Sequence, residues 1–176
     1  MNLTGWFKRW RRGKGFGIHS PFAYYFVTRV LRERLPYYAY PEIDRIGKCE
    51  DIPADELKLL FRVFCHFSPS AVTLPAGTPA GVARTLKLAD SRVKITQSGT
   101  KFQYYNDADV AEADFRKLTR TVLEDEGVIM LRRPSPWMCA IRDEMQRGMT
   151  FTDGSSLIIV IRHDLPRQDF NVGFHP

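Results

Sequence analysis

The stretch from residue 71 to residue 96 constrains the fold most strongly, because it has the order of a β-α-β unit. A β-rich run at 71–74 leads into a loop of small residues, an amphipathic run at 82–89 follows, and a second β-rich run covers 93–96. Strands that alternate with helices in this way form a parallel sheet with helices packed on its faces. The sequence therefore predicts an α/β domain.

The loop of this unit has the outline of a nucleotide-binding turn, but it lacks the acidic side chain that such turns normally carry. Glycine lets the backbone approach a ligand closely, and the N-terminus of a helix offers free N–H groups to an anion. The candidate cofactor-binding residues are therefore Gly77, Thr78 and Gly81, with Ser98 beyond the second strand, while the place expected to hold an acid is Pro75. The alternative is an ordinary strand-to-helix turn that serves packing alone.

Length and composition favour one compact unit. The chain has 176 residues, of which 44% are hydrophobic, enough for one domain with a core and too few for two. We predict that residues 1–68 supply a basic arm and N-terminal helices, and that residues 69–176 form a shortened α/β domain. No apolar run reaches the roughly 18 to 20 residues that cross a bilayer. Three widely spaced cysteines without a Cys-x-x-Cys pair argue against a disulfide framework, so we expect a cytoplasmic location.

Positive charge is concentrated at the N-terminus. Residues 1–34 contain eight Lys or Arg and a single acid, although the net charge of the whole chain is only +6. Basic and aromatic side chains alternate there, and the candidate contacts to an anionic partner are Trp6, Lys8, Arg9, Trp10, Arg11, Arg12 and Lys14. Such an arm can contact the phosphates of a nucleic acid or the surface of an anionic membrane. The alternative is a solvated terminal segment whose tryptophans fold back onto the body.

Apolar periodicity and caps predict the remaining elements. Ser20 and Pro21 indicate the start of a helix, since a serine side chain caps free N–H groups and proline suits the first helical position. Helical spacing predicts that the buried face of this helix consists of Phe22, Tyr25, Phe26 and Val30. Further helices are predicted over 41–48, 53–67, 109–124 and 137–147, and further strands over 101–105, 128–131 and 157–161, with an antiparallel finish near the C-terminus.

The short connection after residue 96 predicts a hairpin. Few residues separate the strand at 93–96 from the strand at 101–105. A parallel connection needs about a dozen residues and usually contains a helix. We therefore expect these two strands to pair in the antiparallel sense.

Four segments carry a family resemblance. They are Gly17-Ile18-His19-Ser20-Pro21-Phe22, Tyr37-Tyr38-Ala39-Tyr40, Gly77-Thr78-Pro79-Ala80-Gly81 and Arg167-Gln168-Asp169-Phe170. Taken together, they resemble a bacterial branch of the class I S-adenosylmethionine-dependent methyltransferases over most of the length of the chain. The resemblance implies a truncated, Rossmann-like mixed sheet with an antiparallel last hairpin, and a cofactor cleft at the carboxyl ends of the first two strands.

The chain departs from that family where the family carries acids. The resemblance implies an acid beside the glycine loop for the amino acid end of the cofactor, another after the second strand for the ribose, and paired acids after the strand at 128–131. These places hold Pro75 to Gly77, Thr96 to Gly99 and Arg132-Arg133. Each lost charge-assisted hydrogen bond costs about 1.5 to 3 kcal/mol, and arginines repel a metal ion or a sulfonium. The segment after the second strand is also short, so we expect part of the adenine pocket to be absent.

Three functions remain open on this basis. The favoured one is a methyltransferase-like domain that has lost cofactor binding and serves as a binding or assembly module for a protein partner or a second copy. The second is an active methyltransferase, in which residues 77–81, Thr96 and Ser98 hold S-adenosylmethionine and His19 or a tyrosine positions the substrate. The third is attachment to nucleic acid or an anionic membrane through the basic arm. For His19, the alternative role is to stabilise the start of the first helix.

Overall fold

A computed structural model describes residues 17–106 and 110–174. Its helices are α1 (Pro21–Tyr25), a π-helical segment (Phe26–Leu31), α2 (Tyr40–Glu50), α3 (Ala54–Phe67), α4 (Ala80–Ala89), α5 (Glu112–Glu124), α6 (Pro136–Cys139) and α7 (Ile141–Glu144). Its strands are β1 (Ala71–Thr73), β2 (Lys94–Thr96), β3 (Phe102–Asn106), β4 (Gly127–Arg132), β5 (Met149–Thr152), β6 (Ser156–Ile161) and β7 (Gln168–Asn171).

The strands of the described residues form one mixed sheet in the order β2-β1-β3-β4-β6-β5-β7. The first four strands in this order are mutually parallel. Strand β6 is antiparallel to both β4 and β5, and β7 is parallel to β5. The protein is therefore an α/β protein whose sheet is consistent with a Rossmann-like fold, as the alternation of strands and helices predicts.

The two faces of the sheet carry separate layers of helices. Val72, Phe102 and Val128 belong to the larger core, which also contains buried residues of α1 to α4. Tyr105 and Ile129 face the other way, into a smaller core built with α5, α6 and α7. Successive side chains of a strand point to opposite faces, so β3, β4 and β6 contribute to both cores. The N-terminal helices consequently pack as one layer against the sheet.

The predicted antiparallel hairpin between β2 and β3 is wrong. The two strands lie on opposite sides of β1 and run in the same direction. Thr73, the last residue of β1, is paired with Gln103 near the start of β3. Because β3 begins at the level where β1 and β2 end, the chain does not have to travel back along a strand. Residues 97–101 are therefore enough for a parallel connection.

The C-terminal third differs from the prediction in two places. The helix predicted over 137–147 is divided into α6 and α7, and Gly148, directly after that range, precedes β5 with a φ of 102°. A β-carbon at Gly148 would lie 2.3 Å from the carbonyl oxygen of Val160, so the approach of β6 requires glycine. The last strand does not complete an antiparallel arrangement. Because β6 already pairs with one side of β5, β7 pairs with the other side, and it runs parallel to β5.

The first helix begins as predicted but then changes its pitch. Ser20 accepts a hydrogen bond from the N–H of Ala23 at 3.3 Å, and Pro21 is the first helical residue. After Tyr25 the chain continues as a π-helix, whose wider turn alters which side chains face inward. Tyr25 is 53% exposed, so its prediction as a buried residue is wrong, whereas Phe26 and Val30 are buried as predicted.

A buried arginine supports the end of the π-helical segment. Arg62 of α3 donates from Nε to the carbonyl oxygen of Val30 at 2.7 Å and from Nη2 to that of Leu31 at 3.0 Å. Its Nη1 donates to the hydroxyl of Tyr40 at 3.1 Å. The last carbonyl groups of a helix have no partner within the helix. Arg62 supplies donors to two of them from a different element.

His66 gives the stability of the protein an expected dependence on pH. Its ring lies 4.8 Å from that of Phe67 and 5.4 Å from that of Phe26, measured between centroids. Burial, and then the charge of Arg162, lower the pKa of His66. The unfolded chain therefore binds more protons than the folded one below pH about 6.5, and stability falls as the pH is lowered through that value.

Urea unfolding of the wild type and of His66→Gln at neutral and mildly acidic pH measures this effect. We expect the wild type to lose more stability than the variant on acidification. An equal loss in both proteins would assign the pH dependence to other groups.

Candidate functional site

The loop after β1 is the strand-to-helix turn that the sequence predicts. The N–H of Leu74 donates to the carbonyl oxygen of Thr96 at 2.9 Å and extends the pairing of β1 with β2. The N–H of Thr78 donates to the carbonyl oxygen of Pro75 at 3.0 Å and closes a turn. Gly77 is exposed in this turn, and Gly81 is buried in the first turn of α4.

A carboxylate of the chain itself occupies the N-terminus of α4. Glu50, the last residue of α2, accepts a hydrogen bond from the N–H of Gly81 at 2.6 Å and another from Arg84 at 2.8 Å. A β-carbon at Gly81 would lie 2.9 Å from a methyl carbon of Ile46, so glycine allows α2 to pack closely on α4. The Gly81 N–H that the sequence offers to an external anion is therefore already bonded.

Residues 97–101 cross the sheet at the end of β1. The hydroxyl of Thr73 donates to the carbonyl oxygen of Ser98 at 2.6 Å and accepts a hydrogen bond from the N–H of Thr100 at 2.9 Å. A β-carbon at Gly99 would lie 2.7 Å from the hydroxyl oxygen of Thr121. The segment, named here the crossing segment, therefore lies between the end of β1 and helix α5.

A buried polar network holds the crossing segment in place. The side-chain amide of Gln103 donates to the carbonyl oxygens of Thr100 and Leu118, both at 2.8 Å. Its oxygen accepts a hydrogen bond from the hydroxyl of Tyr105 at 2.7 Å. Gln103 and Tyr105 are both fully buried, and burial raises the pKa of the Tyr105 hydroxyl, which therefore remains a donor. The network ties the crossing segment to β3 and to α5.

A cleft of about 630 Å³ remains between the two loops and α5. Its wall includes Pro75, Ala76, Gln97, Ser98, Asp114 and Lys117. Its volume is within the range of small-molecule sites. Of the four predicted cofactor-binding residues, Ser98 lines this cleft, whereas Gly77, Thr78 and Gly81 do not. Gln97 and Lys117 reach it because the crossing segment and α5 meet there, which no local pattern indicates.

The sequence predicts uncompensated positive charge at Arg132-Arg133, and this prediction is only partly correct. Arg132, the last residue of β4, forms an ion pair with Glu56 in the first turn of α3. A carboxylate 76 positions away in the chain thus compensates one of the two positive charges, and no sequence motif links the two residues. Arg133 is exposed, and its N–H donates to the carbonyl oxygen of Ser155 at 2.7 Å. One cation remains where the resemblance implies acids.

His19, one of the residues expected to position a substrate, is exposed and lies two residues before the start of α1. No group of three or more His, Cys, Asp or Glu among the described residues is arranged to hold a metal ion. The candidate anion-binding residues lie outside the described residues; they are Trp6, Lys8, Arg9, Trp10, Arg11, Arg12 and Lys14.

Comparison of the chain with protein-family models, curated proteins and solved structures finds no match. Within the described part of the chain, no helix combines the length and apolar character needed to cross a bilayer. The function must therefore follow from the molecule's own contacts and charges.

Proposed function

We propose that this protein is a shortened methyltransferase-like domain that does not bind S-adenosylmethionine and serves as a binding or assembly module. The observation that carries the proposal is the crossing segment at the end of β1. In an open α/β sheet a ligand binds outside the carboxyl ends of the strands. Here Ser98 and Thr100 are bonded to Thr73 at that end, so polypeptide covers the end of β1 itself, and the cleft of about 630 Å³ lies beside it.

The strand order supports the methyltransferase-like part of the proposal. Four parallel strands, β2-β1-β3-β4, are followed by antiparallel β6, which forms a hairpin with β5. A Rossmann-like sheet that ends in an antiparallel hairpin is what the family resemblance implies. The crossing segment replaces the helices and the strand that the family places after its second strand.

The electrostatics of the two loops support the loss of cofactor binding. The end of β2 offers the neutral residues Thr96, Gln97 and Ser98, with no carboxylate for a pair of ribose hydroxyls. Glu50, the acid that does reach α4, is engaged by Gly81 and Arg84. Two missing charge-assisted hydrogen bonds cost about 3 to 6 kcal/mol together, which weakens a complex by two to four orders of magnitude on the scale of about 1.4 kcal/mol per factor of ten.

The edge of the sheet supports a role in assembly. Strand β2 is the end strand of the described sheet, and Ile95 at its centre is 38% exposed. An edge strand presents backbone donors and acceptors that another chain can pair with. In this proposal, a second copy or an extended segment of a protein partner would pair with the backbone of this edge.

Isothermal titration calorimetry with S-adenosylmethionine and S-adenosylhomocysteine tests the proposal. We expect no micromolar binding by the wild type, because the loss of two charged contacts raises a dissociation constant of about 1 μM to about 0.1 to 10 mM. Micromolar binding by either compound would contradict it.

The variant Thr96→Asp separates the two causes of this loss. The hydroxyl of Thr96 accepts a hydrogen bond from the N–H of Ser98 at 3.1 Å, and a carboxylate can accept the same bond. The variant restores an acid at the end of β2 while leaving the crossing segment in place. We expect this variant not to bind S-adenosylmethionine or S-adenosylhomocysteine. Cofactor binding by Thr96→Asp would show that the missing acid alone prevents the complex.

One observation favours an active methyltransferase as the second candidate. The cleft of about 630 Å³ lies beside the loop after β1, and its wall includes Ser98 and the carboxylate of Asp114. The backbone around residues 77–81 would then hold the cofactor together with these side chains. The same calorimetric experiment decides between the candidates, because the enzyme requires binding and the module excludes it.

A further inference from the structure

One side of the first helical segment exposes aromatic and basic side chains together. The opposite side is formed by the buried residues Ala23, Phe26, Val27, Val30 and Leu31. The other side carries the exposed Tyr24, Tyr25 and Arg29 and the half-buried Arg32, together named here the Tyr-Arg stripe. Tyr24 is 50% exposed and Tyr25 is 53% exposed, although large aromatic side chains usually lie mostly inside a domain.

The charge of the stripe is not compensated within the described part of the chain. Arg29, Arg32 and Arg34 take part in none of the ion pairs among the described residues. The nearby Glu33 accepts hydrogen bonds from the N–H groups of Arg34 and Leu35, at 2.7 and 2.9 Å. Burial and then the charge of Arg34 lower the pKa of Arg32. An anion placed beside these arginines would relieve their repulsion.

We propose that the Tyr-Arg stripe binds single-stranded nucleic acid. Bases stack on Tyr24 and Tyr25, and Arg29 and Arg32 contact the phosphates. Every base has a π face, so stacking on aromatic rings together with a basic path along the backbone gives binding with little sequence preference. The guanidinium group matches the geometry of phosphate oxygens through paired N–H donors. This proposal does not depend on the loss of cofactor binding.

The composition of the stripe favours nucleic acid over a membrane. Its aromatic residues are tyrosines, whose hydroxyl groups remain hydrated when a base covers the ring. Its cations are arginines. The stripe contains no aliphatic side chain, whereas a helix that lies in a membrane interface buries an apolar face among the acyl chains. The apolar side chains of this segment point into the protein core instead.

Hydrogen bonds support both ends of the helical segment that carries the stripe. Ser20 caps the start of α1, and Arg62 donates to the carbonyl oxygens of Val30 and Leu31 at the end of the π-helical segment. The ring of Tyr25 lies 5.8 Å from that of His66, between centroids. Little conformational freedom is therefore lost when a base stacks on it, which favours binding.

Fluorescence anisotropy of the full chain with a labelled single-stranded oligothymidylate, at low and at moderate salt, tests the proposal. We expect binding that weakens steeply with salt. The double variant Tyr24→Ala/Tyr25→Ala should weaken it at least about tenfold, because each stacked base contributes on the order of a factor of ten. The variant Arg29→Gln/Arg32→Gln should lower the slope of log affinity against log salt by about 1.4, or about 0.7 for each lost phosphate contact.

The matched control is Arg92→Gln/Arg120→Gln, which removes the same charge from residues whose side chains are 89% and 74% exposed elsewhere on the surface. Circular dichroism verifies that each variant is folded. The control should retain the wild-type affinity and slope.

Several results would overturn the proposal. The first is that the wild type does not bind the oligonucleotide at low salt. The second is that the stripe variants and the control variant lose the same amount of affinity. The third is that deletion of residues 1–14 abolishes binding while the stripe variants have no effect. Binding to phosphatidylglycerol vesicles without binding to the oligonucleotide would assign the surface to a membrane and would also overturn it.

Discussion

Replacing Arg62 with methionine is expected to lower the free energy of unfolding by about 3 kcal/mol. Methionine retains an unbranched apolar stem but cannot donate hydrogen bonds. The carbonyl oxygens of Val30 and Leu31 would lose their donors at a place where Arg62 itself is 6% exposed. Each buried acceptor left without a donor costs about 1 to 3 kcal/mol. Urea unfolding monitored by circular dichroism measures the difference.

The control for this prediction is Arg92→Met. The side chain of Arg92 is 89% exposed, so its replacement should change the stability by no more than about 0.5 kcal/mol. Arg62→Lys should be intermediate, because an ammonium group retains the charge but cannot reach both carbonyl oxygens with a planar fork. If Arg62→Met were no more destabilising than the control, the three hydrogen bonds would contribute nothing net.

The second large effect is expected for Gln103→Leu, which removes the centre of the network under the crossing segment. The carbonyl oxygens of Thr100 and Leu118 lose a donor, and the hydroxyl of Tyr105 loses its acceptor. With these groups buried, the expected loss of stability is about 3 kcal/mol. Residues 97–101 should also become more mobile. Hydrogen exchange at the N–H of Thr100, which donates to Thr73, should accelerate more than exchange in β4.

The exposed Gln97 is the matched control. Gln97→Leu removes the same amide group from the same segment at a site that solvent reaches, and it should leave both stability and exchange nearly unchanged. If Gln103→Leu destabilised the protein without affecting exchange in residues 97–101, the segment would be held by contacts other than this network. Rigidity of the crossing segment would then no longer support the proposed loss of cofactor binding.

The parts of the fold that rest on local physics could be predicted from the sequence. The apolar spacing of residues 57–65 predicts α3, whose observed range is Ala54–Phe67. The serine and proline before Phe22 predict the start of α1, and the structure contains that cap. Each of these signals involves residues within one or two turns of each other, so the periodicity of the backbone suffices to read it.

The parts that rest on strand register could not be predicted. Whether two short strands form a hairpin or flank a third depends on where each strand begins along the sheet axis. The pairing of Thr73 with Gln103 sets that stagger, and thereby makes a short parallel connection possible. No local propensity distinguishes the two arrangements, because both use the same strands and the same loop length.

In the candidate site too, local features could be predicted from the sequence, whereas contacts between distant residues could not. The sequence indicates a turn rich in small residues at 75–81 and the absence of acids beside it. It gives no sign that Glu50 binds the N–H of Gly81 across 31 positions, or that Glu56 pairs with Arg132. Both glutamates lie on amphipathic helices, at positions where the pattern predicts side chains that face solvent. Only the packing of those helices on one face of the sheet brings them to the loops.

The sequence alone determined the α/β class, most of the helices and strands, and the neutral character of the loops after β1 and β2. These properties follow from short-range periodicity, capping and charge. The tertiary structure decided what lies at the end of β1, namely the crossing segment and a carboxylate of the chain itself. The reason is physical: hydrogen bonds between distant residues depend on register and helix packing, which arise when the whole core is buried at once.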